Sequence, residues 1–146
     1  MTAFRRPPAG FTITELVVVI VIASILAVFA VSRISTQAFD TEGFANRVAA
    51  MARYAQKLAI SQRRTVVVVT TSGNIRLCYA NAACASPVHE PPGTDPFSYN
   101  APSGVSLSAT TVSFSALGRP GAGATITVTG DVARTITIEA ETGYVH

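Results

Sequence analysis

Hydrophobic positions along the chain fall into three regimes. From Leu16 to Val31 only Ser24 interrupts a run of aliphatic residues and Phe, and Glu15 is the one charge between Gly10 and Val31. About 20 apolar residues rising 1.5 Å each match the hydrocarbon core of a bilayer, so residues 11–32 are expected to form a transmembrane helix. From Phe44 the apolar positions become Phe44, Val48, Met51, Ala55 and Leu58, spaced four, three, four and three apart. That spacing is one face of an amphipathic helix, with Arg47, Arg53, Gln56 and Lys57 on the others. One continuous helix from about Phe11 to Ser61 is predicted, residues 33–62 being its amphipathic continuation, laid on a sheet.

After Arg64 the period changes to two and β-branched residues take over. "TVVVVTT" (Thr65 to Thr71) turns at Ser72, Gly73 and Asn74 into "IRLCY", which reads as a hairpin. "TVSFS", "ATITVT" and "RTITIEA" follow, with breaks at Gly118 to Gly123 and at Gly130-Asp131. Ile126, Val128, Ile136 and Ile138 alternate with Thr, which turns one face inward and one to solvent. Between these strands lies a loop rich in Pro, Ala and Ser, from Asn81 to about Gly104. Unstructured loops of that length are often functional, so it is a candidate contact surface. The expected class is α+β: a long N-terminal helix packed on a C-terminal antiparallel β-sheet domain, residues 63–146.

Composition agrees with one small domain plus one apolar segment: 49% of the 146 residues are hydrophobic. The formal charge is +3, but Arg5 and Arg6 lie in the first ten residues; without them nine Lys and Arg face eight Asp and Glu. Such a balance gives no electrostatic case for a nucleic-acid surface.

Candidate chemistry is sparse. Cys78 and Cys84 are the two cysteines; in an oxidising compartment they are expected to pair, closing a loop whose chain entropy is worth roughly 2 kcal/mol. Free thiols or half of a metal site are the alternatives, and zinc would need a further ligand cluster that the sequence lacks. His89 sits in "HEPPG", without the second His of a helical zinc site, and His146 is the last residue. "GVSLS" has Ser108 where a nucleophile elbow needs Gly. No catalytic residue, metal or cofactor is expected.

The first forty residues admit two readings. Basic residues, an apolar run and then polar sequence is the layout of a secretory signal peptide, which would be cut after Ala38. Against this, the apolar run is longer than the usual 7 to 15 residues and follows a carboxylate directly. Pro7 and Pro8 also break the chain just before Phe11, and apolar helical spacing continues past Ala38. A carboxylate within a membrane helix is expensive unless paired, so Glu15 is a functional candidate.

"AGFTITELVVVIVIASILA" resembles the class III signal of type IV pilins and type II secretion pseudopilins. The resemblance implies a leader of residues 1–10, cleavage by a prepilin peptidase between Gly10 and Phe11, and methylation of the new Phe11 amine. It also implies that Glu15 drives filament assembly by neutralising the Phe11 amine of a neighbouring subunit. The implied partners are other pilins through their N-terminal helices, the peptidase, and the inner-membrane platform of a pilus or secretion machine. The implied location is a single pass through the inner membrane with a periplasmic head, held by Arg5 and Arg6 inside, and later a filament. The commonest version of the motif reads Phe-Thr-Leu-Ile-Glu; here Ile13 and Thr14 replace Leu and Ile, and Ser24 and Ser32 stand where many pilins have Gly and Pro.

Beyond the signal, the stretch Phe114 to Pro120 (F-x-x-x-G-R-P) and the terminal "ETGYVH" are similar to the pseudopilin H and FimT family. Some FimT-like proteins take up DNA, an activity associated with a Gly-Arg-x-Arg pattern. Here Pro120 and Gly121 follow Arg119, so the second Arg is missing.

Overall fold

The computed structural model describes residues 10–31 and 36–146. The chain divides into two units, Met1–Ser35 and Thr36–His146. Residues 1–9 of the expected leader lie outside the described residues, as does the junction 32–35 on which helix continuity turns.

The first unit is α1, Ile13–Val31. Thr12 caps it: its Oγ1 accepts the N–H of Glu15 at 3.2 Å, in the Thr-x-x-Glu spacing of a capping box. Ser24 donates to the Ile20 carbonyl one turn back, at 2.6 Å. Large aliphatic side chains from Leu16 to Val28 are all exposed, so α1 is apolar on every side rather than along one stripe. Among the described residues no helix is long and apolar enough to cross a membrane, and the described side chains of α1 end at Val28.

The second unit is built on α2, Thr36–Gln62. Phe44, Val48, Met51, Ala52, Ala55 and Ala59 are buried; Leu58, predicted on this stripe, is only half-buried because the core face drifts onto Ala59. The face rests on two antiparallel sheets instead of one. The first has the order β3-β2-β1-β5, from β1 (Val66–Thr71), β2 (Asn74–Tyr79), β3 (Ser98–Asn100) and β5 (Thr110–Phe114). The second has the order β4-β6-β7, from β4 (Ser106–Leu107), β6 (Ala124–Thr129) and β7 (Arg134–Ile138). Val66, Val68, Ile75, Leu77, Val112 and Phe114 meet Ile126, Val128, Ile136 and Ile138 in one core under α2. Strand β1 is buried on both faces, which explains its unbroken valines: Val67 and Val69 pack on the far side with Cys78 and Cys84.

The expected loop from Asn81 to Gly104 is more ordered than its composition suggests. It carries β3, and a narrow hairpin returns from Val88 to Phe97, whose N–H donates to the Val88 carbonyl at 2.7 Å. Phe97 makes edge contacts with Tyr54 of α2 at 5.1 Å and with Tyr99 at 5.7 Å, pinning the hairpin to the helix.

Gln56 joins three segments. Its Nε2 donates to the Gly118 and Thr142 carbonyls, both at 2.9 Å, so α2 holds the β5–β6 connection and the C-terminal turn together. Gly143 makes this possible, with φ at +67° and a Cβ position 2.5 Å from the Gly118 oxygen and 2.6 Å from Gln56 Nε2. Gly143→Ala is therefore expected to lower stability by roughly 2 kcal/mol or more in chemical denaturation. An unchanged midpoint would show that the clamp carries no strain-sensitive packing.

Candidate functional site

Gly10 and Phe11 stand just ahead of the Thr12 cap, and both are exposed, Phe11 by 80%. Among the described residues nothing lies within 4 Å of a Cβ placed on Gly10, so they make no demand for glycine there. Any requirement for Gly10 belongs to whatever handles the Gly10–Phe11 bond. Glu15 is in the first turn of α1, where the exposed N–H groups give the helix its positive end. Its backbone N–H is taken by Thr12, whereas its side chain is exposed and has no ion pair among the described residues. A carboxylate placed this way is tolerable in water. Moved among apolar helices, it would be costly unless neutralised or paired.

The second pair of expected residues is joined: Cys78 and Cys84 form a disulfide, with Cα atoms 5.1 Å apart. Cys78 is fully buried at the end of β2, and Cys84 has φ at 60°, so the bridge closes a tight turn over the outer face of the sheet. The structure brings no other expected site residues together.

Remaining polar residues serve the fold. Ser108 accepts the Thr127 N–H at 2.9 Å and thereby joins β4 to β6. His146 pairs with Glu139 at 3.0 Å and stacks on Tyr144, while its backbone exchanges two hydrogen bonds with Thr137. His89 lies in the hairpin, bridged to Pro96. Among the described residues no three His, Cys, Asp or Glu side chains converge as metal ligands.

Three of the arginines are likewise engaged. Arg119, of the Gly-Arg-Pro stretch, is ion-paired with Glu141 and donates through Nε to the Glu141 carbonyl at 3.1 Å. Arg64 covers the Tyr79 ring at 3.5 Å, and Arg47 covers Tyr99 at 4.7 Å. Sequence reasoning missed Thr12, Gln56 and Gly143. The Thr-x-x-Glu spacing was a usable signal for the first; the other two depend on contacts 60 to 90 positions apart.

With this geometry in view, comparison with known proteins defines the class. Residues 5–31 match the model described as the prokaryotic N-terminal methylation motif, so the chain carries a prepilin-type N-terminus. Residues 45–142, about two thirds of the chain, match the model described as type II transport protein GspH, and the chain belongs to the GspH family. Two crystal structures of the type IV minor pilin FimU from Pseudomonas aeruginosa share its fold. Both are 17% identical and cover 72% of this chain, with TM-scores of 0.57 and 0.56 over 85% and 90% of their own lengths. No curated protein matches the chain. The α+β pilin architecture expected from the sequence is thus present, as a helix over antiparallel sheets.

One titration reports on the hairpin. The Tyr99 hydroxyl donates to Glu90 at 2.6 Å. That bond, burial and the Glu90 charge raise the phenol above its ordinary value of 10.0, against a smaller opposing pull from Arg47. The fold therefore favours the neutral phenol: the stabilisation is present below the ordinary tyrosine value and is lost as pH rises through the raised one. Ultraviolet titration should find one tyrosine ionising late, returned toward the ordinary value by Glu90→Gln. A Tyr99 that ionises with the others would contradict the contact.

Proposed function

We propose that this chain is a membrane-anchored minor pilin that enters, or primes, a type IV filament of the mannose-sensitive haemagglutinin (MSHA) type. The observation that carries the reading is the order of features in the first unit: an exposed Gly10–Phe11 bond, a cap at Thr12, a carboxylate at Glu15, then a helix apolar on every side. A prepilin peptidase would cut after Gly10 and methylate Phe11. Residues 11–32 would anchor the chain in the inner membrane, with residues 63–146 on the periplasmic side. In the filament Glu15 would face the Phe11 amine of a neighbour, and an ATPase and platform protein would drive extrusion.

The narrower assignment rests on "RYAQKLAISQRR", the "LCY…C…PV" loop, "GRP" and "EAETGYVH", which resemble a minor pilin of that pilus. The alternative is an H-type pseudopilin of type II secretion, favoured by the family match over residues 45–142. Uptake of DNA is disfavoured because Pro120 and Gly121 follow Arg119, so the second Arg of the Gly-Arg-x-Arg pattern is missing, and because nine Lys and Arg face eight Asp and Glu beyond residue 10. No catalytic role is proposed.

Intact-mass analysis of the membrane-held chain should find a mature protein starting at methylated Phe11, and a bulky residue at Gly10 should leave the leader attached. A chain starting at Phe39, after Ala38, would contradict the pilin reading. Deleting the gene separates the two assignments: loss of surface filaments with secretion intact supports the pilus, and the reverse supports the pseudopilin.

A further inference from the structure

Arg76 is the one half-buried cation among the described residues. Among the described residues, Arg53 donates to the Val145 carbonyl at 3.0 Å, Arg119 and Arg134 face Glu141 and Glu42, and Arg47 and Arg64 lie on tyrosine rings. Among the described residues Arg76 meets no carboxylate, carbonyl or ring, and its Nε is buried without a hydrogen-bond partner. A buried N–H left unpaired costs on the order of 1–3 kcal/mol, and more when it carries charge.

Its place in the sheet explains what it faces. Ile75 and Leu77 point into the core, so Arg76 projects from the opposite side of β2, in register with Val69 of β1 and Ser98 of β3. The segment after Cys84 runs back along the edge of β2, where the Tyr79 N–H donates to the Ser86 carbonyl at 2.8 Å and the Val88 N–H to the Leu77 carbonyl at 2.9 Å. Cys84, Pro87, Pro96 and Phe97 wall a cavity of about 310 Å³, with Arg76 beside them. The walls are mainly apolar and the one charge is a guanidinium. Nearby acids do not answer it: Glu90 holds the Tyr99 hydroxyl, and Asp95 lines a separate cleft with Glu90 and the two prolines Pro91 and Pro92.

We propose that this cavity binds a carboxylate carried on a short apolar body, with Arg76 as its anchor. The planar fork of a guanidinium matches the two oxygens of a carboxylate, which a point charge does not. The prolines, Phe97 and the disulfide cover the apolar body, which a bare phosphate or sulfate would not offer. Two sources supply such a group: a small organic acid, or an acidic side chain of a neighbouring protein subunit. The site follows from β2 and its loop and does not depend on the filament reading.

The test is a titration of the full chain in detergent micelles with benzoate, following the Arg76 Nε–H resonance by nitrogen-15 NMR. Benzoate should move it saturably, while benzyl alcohol, of similar shape but neutral, should bind at least roughly tenfold more weakly. Arg76→Gln should abolish the saturable response with the rest of the spectrum intact, and Arg76→Lys, charged but without the fork, should weaken it. In the native assembly, an Arg76 that still answers benzoate identifies a free acid as the occupant; one already shifted and unresponsive identifies a neighbour's side chain. Should Arg76→Gln fail to fold, the comparison of benzoate with benzyl alcohol decides alone. A resonance indifferent to benzoate, equal binding of benzyl alcohol, or benzoate binding retained by a folded Arg76→Gln would overturn the site.

Discussion

Helix α1 cannot satisfy itself. Its ten large aliphatic side chains from Leu16 to Val28 are about half exposed or more, and they face every direction, so no single contact with a domain could cover them. Removing the remaining exposed area from water would contribute on the order of 10 kcal/mol, at 1.5–3 kcal/mol for a side chain taken from full exposure to full burial. The surroundings that accept this helix must therefore be apolar on all sides, as a bilayer or a bundle of like helices is. Glu15 opposes that transfer. An unpaired carboxylate costs about 2.5–3.5 kcal/mol at the centre of a membrane helix. The apolar run therefore outweighs the charge, and under the proposed function the charge would decide which neighbour the helix accepts.

The second unit obeys a different constraint. Its core is small, built on the alanine-rich face of α2, and its connections are long for the strands they join. Three devices hold those connections: the Cys78–Cys84 bridge, the aromatic contacts from Tyr54 through Phe97 to Tyr99, and the double hydrogen bond of Gln56. The Gly-Arg-Pro and Glu-Thr-Gly stretches meet at the Gln56 clamp, where Arg119 also pairs with Glu141. Their spacing is thus explained by the turn they build, without any ligand.

What was legible in the sequence follows from the range of the forces involved. The α2 stripe, the β1–β2 hairpin, and the β6 and β7 strands are written in local period and turn chemistry, and they appear within a residue or two of expectation. The split into two sheets was not legible, because strand order depends on pairings such as Val66 with Phe114, far apart in the chain. β3 and β4 were hidden by their brevity and by flanking prolines. Of the site residues, Gly10, Phe11 and Glu15 could be found because they form one contiguous motif. Arg76 could not: as a lone charge in "NIRLCY" it reads as the solvent face of a strand, and the cavity it shares with Cys84, Pro87, Pro96 and Phe97 forms only on folding.

Under the proposed function Glu15 selects a neighbour by charge. The direct measurement is the ratio of filament protein, sheared from cells, to membrane-retained protein for the parent, Glu15→Ala and Glu15→Gln. Cleavage at Gly10–Phe11 and membrane insertion should be unaffected, since loss of a charge only makes α1 more apolar. Incorporation should fall for both variants alike, because a neighbour's buried amine would lose a partner worth about 3–5 kcal/mol, and the near-isosteric Gln restores shape without charge. Parental incorporation of both neutral variants would contradict the claim.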